Sequence, residues 1–311
     1  MNQPQPLYYQ PQADDPPRRL DIVLGRWLSL SRSQVRSLLE SGQVEVNGRV
    51  ADPKDKGRMF GPGDATTVHA TTPQGVLLPA ADPDLELCEL AHGPGWIVID
   101  KPAGVPVRPR HPGQTGCVIN ALIHHDPGVA GVGEGGLRSG VVHRLDTQTS
   151  GCLLVATAQD AWLRLREAFA EHRITKRYTA IVHGRLECRQ HMVRHLVVAR
   201  HHEALVRVYD QPDPTLGTRE CSMTWQVIET ADDASLVEID LGTGFLHQVR
   251  AMMAYAGHPL VGDDRYGPGR VTFNASRHML HAGELSFDDV NAKAPLPQDM
   301  QQVWQSLCST Q

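Results

Sequence analysis

The chain has 311 residues, of which 41% are hydrophobic and 21% charged, and its net charge is −5. This composition is that of a globular protein, and the length allows two domains. No run of about 18 apolar residues occurs, so we expect no membrane-spanning helix. The six cysteines are scattered without a C-x-x-C pair, which favours reduced thiols in a cytoplasmic protein over a disulfide framework or a zinc site.

The charge is unevenly distributed along the chain. Residues 17–72 contain nine Lys and Arg against six Asp and Glu, a net of +3, which leaves −8 for the rest because the total is −5. A basic module joined to an acidic body is typical of a domain that contacts phosphate groups. Residues 1–16, rich in Pro and Gln, are expected to form a disordered tail.

The basic module has the pattern of two short helices followed by a hairpin. Apolar residues recur with helical spacing in residues 18–29 and again in residues 35–39. Residues 44–46 alternate like a strand, and Asn47-Gly48 forms a tight turn toward a return strand. Residues 73–84, rich in Pro and Asp, predict a linker to the next domain.

Residues 85–295 are predicted to form one larger domain of strands and helices. Residues 96–99 and 178–182 have strand patterns, and residues 161–172 are helical in composition. Residues 296–311 are predicted to be a C-terminal tail or helix.

The stretch from residue 140 to residue 156, GVVHRLDTQTSGCLLVA, holds a polar segment between two apolar runs. Such runs bounded by glycine predict buried strands, here at Val141-Val142 and at residues 152–155. The polar segment would be a loop held by these strands, where functional side chains concentrate. Asp146 lies in that loop among Thr, Ser and Gly, and local features alone favour an Asx turn or a helix cap.

The string HRLDTQTSG resembles the H-R-L-D-x-x-T-S-G signature of the RluA family of pseudouridine synthases. Further strings similar to motifs of this family occur in order at residues 101–107, 176–184, 241–267 and 279–287. The resemblance covers roughly residues 17–290. It implies an α+β fold in which a small αα-hairpin plus β RNA-binding domain precedes a catalytic domain. That domain is expected to contain a large mixed, mainly antiparallel β-sheet flanked by helices.

Residues 17–72 resemble the RNA-binding domain named after ribosomal protein S-four. In that family the second helix and the hairpin present basic side chains to structured RNA. The matching candidates are Arg32, Arg36 and Arg49, which would anchor the RNA through its phosphates without reading its sequence. The alternative is a solvated basic face on a small helical module.

The family resemblance implies an isomerase that converts specific uridines of structured RNA to pseudouridine, and the N-terminal module favours large-subunit ribosomal RNA over transfer RNA as the substrate. Asp146 would act at the ribose, either as a nucleophile at C1′ or as a base at C2′. Tyr178 matches the tyrosine that lies against the target base, and Arg250 matches the arginine that pairs with the catalytic aspartate. Arg144 would fill the space left by the flipped uridine. The other candidates for RNA or substrate contacts are His143, Leu145, Thr149, His247, Gln248 and Leu280.

The isomerisation requires neither a redox step nor an energy input, so we expect no cofactor. His191 and His195 have the i, i+4 spacing of a metal-binding helix, but Met192 stands where the H-E-x-x-H motif has Glu, so we expect no metal. We expect a monomer that meets ribosomal RNA or a ribosomal assembly intermediate and no membrane.

Two positions depart from the family's T-G-R-(T/K)-H-Q-(I/L)-R motif, because Phe245 replaces the usual Arg and Leu246 the usual Thr or Lys. Losing a cation there is expected to alter contacts with phosphates or neighbouring bases rather than bond chemistry. Three alternatives remain: a transfer-RNA pseudouridine synthase, a catalytically silent RNA-binding or ribosome-assembly protein, and a glycoside hydrolase. The hydrolase would need an acid partner about 5–10 Å from Asp146, which no motif supplies.

Overall fold

The computed structural model describes residues 7–13, 15–28, 30, 32–68, 78–111, 113–186, 189–199, 205–288 and 290–309. Residues 69–77, which hold the start of the predicted linker, lie outside that set. The chain divides into two compact units. Residues 108–115 and 119–141 belong to the first unit, although the sequence predicts them to be part of the catalytic domain. The first unit contains Met1–Pro83, Arg108–Thr115 and Ile119–Val141; the second contains Asp84–Val107, Gly116–Val118 and Val142–Gln311. Among the described residues, no helix is long and apolar enough to cross a membrane.

The N-terminal part of the first unit combines two helices with short strands. In chain order its elements are β1 (Leu7–Tyr9), β2 (Arg18–Arg19), α1 (Leu20–Trp27), α2 (Arg32–Glu40), β3 (Val44–Val46), β4 (Arg49–Val50), β5 (Met59–Phe60) and β6 (Thr66–Val68). The sheet order is β1-β6-β3-β4, and β2 pairs with β5. Asn47 and Gly48 both have positive φ, as a tight hairpin turn requires. The predicted helix pair and hairpin are therefore present.

An apolar core holds these elements together. Helix α1 contributes Leu20 and Leu24, and helix α2 contributes Val35 and Leu39, all nearly or fully buried. In each helix the two residues are four positions apart, so they lie on one stripe of the surface. Phe60 of β5 belongs to the same core, which links the helices to the strands.

Strand β1 corrects the prediction of a disordered tail for residues 1–16. Leu7–Tyr9 pair antiparallel with β6. The ring of Tyr9 lies 5.2 Å from that of Trp27 and 6.3 Å from that of Phe60, measured between centroids. Burying aromatic surface offsets the entropy lost when the segment becomes ordered. Disorder is therefore the wrong prediction for these three residues.

The second unit is built on one ten-stranded sheet. Its elements are β7 (Cys88–Gly93), β8 (Trp96–Lys101), β9 (Ser150–Ala156), α4 (Gln159–Ala170), β10 (Thr175–His183), β11 (Gln190–Val198), β12 (Val206–Tyr209), β13 (Arg219–Thr230), β14 (Ala234–Leu241), α5 (Gln248–Tyr255), β15 (Leu280–Phe287), β16 (Val290–Lys293) and α6 (Gln298–Cys308). Helix α3 (Val118–His125) lies between β8 and β9 in the chain, and all of its residues except Val118 belong to the first unit. The strand order is β12-β11-β13-β14-β10-β15-β9-β8-β7, with β16 on β15. Strands β9 and β15 run parallel, and the other described pairs are antiparallel. The expected mixed, mainly antiparallel sheet is confirmed.

The centre of this sheet positions two loops and one strand that together form the candidate site. Strand β9 is buried along its whole length, as a continuous apolar run in a central strand predicts. It begins directly after the loop at residues 142–149. Strand β10 lies between β14 and β15, with Tyr178 opposite Ile239 and Ala282. Helix α5 begins directly after the loop at residues 242–247.

The strand predicted at Val141-Val142 is absent, because these residues lie outside the named strands. Val142 is buried, but its carbonyl accepts a hydrogen bond from Arg166 Nη1 at 3.0 Å. Val141 is partly buried and forms an isolated bridge, and neither residue extends into a strand. The apolar character of Val142 therefore reports burial rather than a place in a strand.

The structure decides the secondary structure of two further segments whose sequence pattern allowed a helix. Helix α6 packs Met300, Val303 and Trp304 into an apolar cluster of the second unit, which is the helical option of the C-terminal prediction. His191 and His195 lie in strand β11 and not on a helix. Four residues in a strand span about 13 Å, which is too far apart for two ligands of one metal ion.

One glycine of the central parallel pair tests the packing of the sheet. Gly151 has a φ of +107°, and a Cβ there would lie 2.2 Å from the carbonyl oxygen of Ala282. We expect Gly151→Ala to lower the free energy of unfolding by about 2–4 kcal/mol, because the β15 backbone has to move. Urea denaturation measures this loss. Gly283→Ala is the matched control, since its Cβ would meet Thr179 Oγ1 at an ordinary 3.6 Å; equal losses would contradict the explanation.

Candidate active site

A carboxylate and a guanidinium that lie 104 positions apart in the chain meet in the second unit. Arg250 Nη1, in the first turn of α5, donates to Asp146 Oδ2 at 3.1 Å. The Arg250 side chain is 7% exposed and that of Asp146 is 16% exposed. Water screens a pair this deeply buried less than it screens a surface pair. The two residues predicted to pair are thus brought together.

Asp263 holds Arg250 from the other side. Arg250 Nε and Nη2 donate to its two carboxylate oxygens at 2.7 and 2.8 Å, a bidentate contact. Burial lowers the pKa of Arg250, but the hydrogen bonds and charge of Asp263, with a contribution from Asp146, outweigh that effect and raise the pKa. The guanidinium is therefore a fixed cation with one edge left for Asp146.

Tyr266 touches the whole arrangement although its role was not predicted from the sequence. Its ring lies under Arg250, with 5.2 Å from the guanidinium carbon to the ring centroid. Its backbone N–H donates to Asp263 Oδ1 at 3.1 Å. Its hydroxyl accepts from the Val206 backbone N–H at 2.9 Å and lies 3.0 Å from His247 Nδ1. One side chain therefore braces both groups that face Asp146.

His247 presents its other ring nitrogen to the carboxylate. Its Nε2 lies 3.7 Å from Asp146 Oδ1. Burial lowers the pKa of His247, although the charge of Asp146 opposes this. Because the Tyr266 oxygen already accepts from a backbone N–H, we assign its proton to the bond with Nδ1, which leaves the proton of a neutral imidazole on Nε2. His247 also has a positive φ of 50°, a strained conformation typical of functional sites.

Tyr178 lies beside Asp146 on the cavity wall. It is 8% exposed, and burial, followed by the charge of Asp146, raises the pKa of its phenol. The cavity has a volume of about 440 Å³, within the usual range for ligand sites. Its wall combines basic side chains with apolar ones, among them Arg144, Arg166, His172, Lys176, Phe169 and Phe245. A smaller recess of about 60 Å³ shares Asp146 and Tyr178 and adds Leu145, Thr149 and Leu280.

Three of the predicted substrate contacts are engaged within the protein. His143 Nε2 accepts the Leu154 backbone N–H at 2.9 Å, and burial lowers the pKa of this histidine to about 3. Gln248 Oε1 accepts from Thr243 Oγ1 at 2.8 Å and from a backbone N–H, while its Nε2 donates to a backbone carbonyl. Thr149 Oγ1 lies 2.9 Å from a ring nitrogen of His278. These side chains hold the loops that carry the site.

Arg144 differs from these residues because it is exposed at the cavity. Among the described residues no carboxylate pairs with it. Its guanidinium can therefore meet a ligand without first breaking an ion pair.

Two buried cations that sequence analysis did not single out fix the Asp146 loop. Lys101 Nζ donates to the carbonyls of Pro102, Val105 and Thr147 at 2.7, 2.8 and 3.0 Å. Arg277 Nη1 donates to the carbonyl of Gln148 at 2.9 Å. The sequence signal that could have pointed to Lys101 was the family-like string at residues 101–107, KPAGVPV, which begins where strand β8 ends.

The predicted RNA anchors lie in the first unit. Arg32 and Arg36 line a cavity of about 510 Å³ together with Arg19 and Lys56. Arg36 also pairs with Glu40, with Nε 2.8 Å from Oε1. Arg49 lies elsewhere, held by both carboxylate oxygens of Asp55 at 2.9 Å. Two of the three anchors are thus neighbours in one basic groove.

In the second unit a mixed sheet presents an ion-paired carboxylate in a cavity with basic side chains, an arrangement that suits an enzyme whose substrate carries phosphate. The family model for RNA pseudouridylate synthase matches residues 95–255, and that for the S4 domain matches residues 18–57. The chain belongs to the RNA pseudouridylate synthase family and is an isomerase that acts on RNA. The RluA-family resemblance of its motifs is confirmed.

Several curated proteins align over most of the chain. An uncharacterized RNA pseudouridine synthase of Synechocystis is 36% identical over 290 residues, which is 89% of this chain and 86% of that protein. Ribosomal large subunit pseudouridine synthase D of Zymomonas mobilis is 33% identical over 308 residues, 93% of each chain. Human RNA Pseudouridylate Synthase Domain Containing 1 shares the fold, with a TM-score of 0.55, 24% identity and coverage of 73% and 97%.

The bracing by Tyr266 leads to a kinetic prediction. Tyr266→Phe keeps the ring under Arg250 but removes the hydroxyl between Val206 and His247. We expect kcat to fall about tenfold, which corresponds to about 1.4 kcal/mol, with KM little changed, because Asp146 loses an oriented N–H neighbour. Steady-state kinetics on an RNA substrate measure this. Tyr255→Phe removes a hydroxyl that donates to Asp210 at 2.7 Å and, within the described part of the chain, makes no hydrogen bond to His247 or Arg250, so kcat should stay unaltered. A similar fall in both variants would refute the bracing role.

Proposed function

We propose that this enzyme converts specific uridines of large-subunit ribosomal RNA to pseudouridine, with Asp146 as the reacting carboxylate. The observation that carries the proposal is the Asp146–Arg250 ion pair, which lies beside a basic cavity. Relatives from Zymomonas mobilis and Vibrio parahaemolyticus are both named ribosomal large subunit pseudouridine synthase D. They align over 93% of this chain, including its N-terminal S4 match.

The chemistry requires one carboxylate at the ribose. In the nucleophilic route, Asp146 attacks C1′ while the bond to N1 breaks and its electron pair leaves with the uracil. After the uracil turns, its C5 bonds to C1′, the carboxylate leaves, and the C5 proton is removed while N1 gains one. In the alternative route, Asp146 removes the C2′ proton, and the electron pair of that C–H bond forms a C1′–C2′ double bond as the bond to N1 breaks. After the uracil turns, C5 bonds to C1′ while the proton returns to C2′, and the C5 proton is then removed while N1 gains one. Arg250 occupies Oδ2, so Oδ1 is the oxygen better placed for either role.

Tyr178 is best supported as a surface for the uracil. The raised pKa of its buried phenol keeps it neutral, which makes it a poor base for the C5 proton. An aromatic ring beside Asp146 can instead pack against the base as it turns. Phe245 adds a further aromatic side chain to the same cavity, beside Tyr178 and Phe169, in place of the family's usual cation.

The target uridine has to leave the RNA stack to reach this cavity, so we include base flipping in the proposal. Arg144 is the candidate to fill the vacated space, because its planar guanidinium can stack on bases and bind phosphate. The intact chain Asp263–Arg250–Asp146 favours an active enzyme over a silent RNA-binding protein. A transfer-RNA substrate is the competing outcome that experiment has to decide.

Pseudouridine mapping tests the substrate and the carboxylate together. Total RNA is compared from cells with the wild-type gene, a deletion, or Asp146→Ala. We expect one or a few sites of large-subunit ribosomal RNA to be lost in both altered strains. Loss of transfer-RNA sites instead would reject the ribosomal proposal, and sites kept by Asp146→Ala would reject the carboxylate assignment. Asp160→Ala, a change in the first turn of α4, serves as the control substitution.

The groove of the first unit yields a binding prediction. Arg32→Ala with Arg36→Ala should weaken RNA binding and make the plot of log affinity against log salt shallower by about 1–2, since each lost phosphate contact contributes roughly 0.7–0.9. Filter binding across a salt series measures the slope, and single-turnover kinetics at saturation should remain nearly unchanged. Arg58→Ala is the control, because Arg58 pairs with Asp64 in the same unit. An unaltered slope in the double variant would remove the anchor role.

A further inference from the structure

Two lysines of the second unit are buried, and they differ in how their ammonium groups are satisfied. Lys101 is fully buried, and its Nζ has three carbonyl acceptors within 3.0 Å. An ammonium has three N–H donors, so every donor of Lys101 has a partner. Lys101 is therefore complete without a ligand and serves the structure.

Lys176 is left incomplete. It is 9% exposed, and among the described residues the one acceptor of its Nζ is the carbonyl of Thr243, at 3.2 Å. Two of its three donors thus have no protein acceptor. Lys176 lies two residues before Tyr178 in β10, so both side chains project from the same face of the strand. Both line the cavity that contains Asp146.

The charges around this cavity do not compensate the Lys176 ammonium. The other charged side chains of its described lining are Arg144, Arg166 and Asp146, and Arg250 already holds Asp146. An ammonium buried without a counter-ion is costly. Burial accordingly lowers the pKa of Lys176 to about 8. An anion that entered the cavity would supply the missing acceptors and the missing charge together.

We propose that Lys176 binds a backbone phosphate of the RNA next to the flipped uridine, inside the active-site cavity. The proposal rests on the base flipping proposed above, because only a flipped nucleotide brings its phosphate this deep. In this arrangement the Lys176 ammonium binds the RNA backbone, and the Asp146 carboxylate faces the ribose. Phe245 and Leu246 supply no cation on the neighbouring loop, which leaves Lys176, Arg144 and Arg166 as the lysine and arginine side chains of the described cavity wall.

The first experiment is a kinetic comparison of Lys176→Met and Lys176→Arg on a transcript that the wild-type enzyme converts. Lys176→Met should raise KM about tenfold, with kcat changed less than threefold, and should reduce the salt slope of binding by roughly 0.7. Lys176→Arg should restore most of both quantities, because it keeps the positive charge. An unchanged KM and slope in Lys176→Met would overturn the proposal.

The second experiment identifies the phosphate. Single linkages around the target uridine are replaced one at a time by uncharged methylphosphonates. At one linkage the wild-type enzyme should lose about tenfold in affinity, whereas Lys176→Met should lose nothing further. Equal losses in both proteins at every linkage would reject the phosphate contact. Lys176→Gln repeats the cycle with a polar side chain, and thermal unfolding of all variants excludes loss of structure as the cause.

Failure of this proposal is distinguishable from failure of the proposed function. The transcript is chosen from whichever RNA the mapping assigns, so a transfer-RNA substrate would reject the ribosomal proposal and leave the phosphate test intact. Retained activity in Asp146→Ala would reject the carboxylate assignment, and the methylphosphonate cycle would still report on Lys176.

Discussion

The buried guanidinium of Arg250, held between Asp263 and Asp146, is the interaction on which the site depends. Asp263 takes two of its donors in a bidentate contact, which fixes the plane of the guanidinium and leaves one edge for Asp146. Breaking a buried ion pair leaves an uncompensated charge, so removal of Arg250 would leave both carboxylates without their shared cation. The Arg250–Asp146 pair joins helix α5 to the loop before β9, and it therefore aligns two segments from distant parts of the chain.

Around this pair, buried cations shape the loops through backbone carbonyls. Lys101 and Arg277 together bind the carbonyls of Thr147 and Gln148 in the Asp146 loop. These bonds hold the loop through its backbone, together with the side-chain contacts of His143 and Thr149, and Arg144 takes no part in them. Lys176 differs because it lines the cavity and, among the described residues, has one carbonyl acceptor. The site thus contains cations whose donors are taken up by the fold and one cation whose donors are not.

Much of the fold could be predicted from periodicity, since the helix pair, its hairpin and strands β8 to β10 all have clear patterns. The failures have physical causes. Val142 is apolar because it is buried, although neither it nor Val141 belongs to a named strand. Leu7–Tyr9 lies in a polar segment but is ordered by the contacts of Tyr9 with Trp27 and Phe60. Burial by distant residues is a tertiary property that local composition does not carry.

The sequence by itself determined the family and the motif residues, because Asp146, Tyr178 and Arg250 each lie in a contiguous string with its own pattern. Only the tertiary structure decided what the residues around them do. It assigned the amide of Gln248 to loop bonds and revealed Tyr266 as the brace between His247 and Arg250. Hydrogen bonds and desolvation depend on partners up to about a hundred positions away, and no local pattern records those partners.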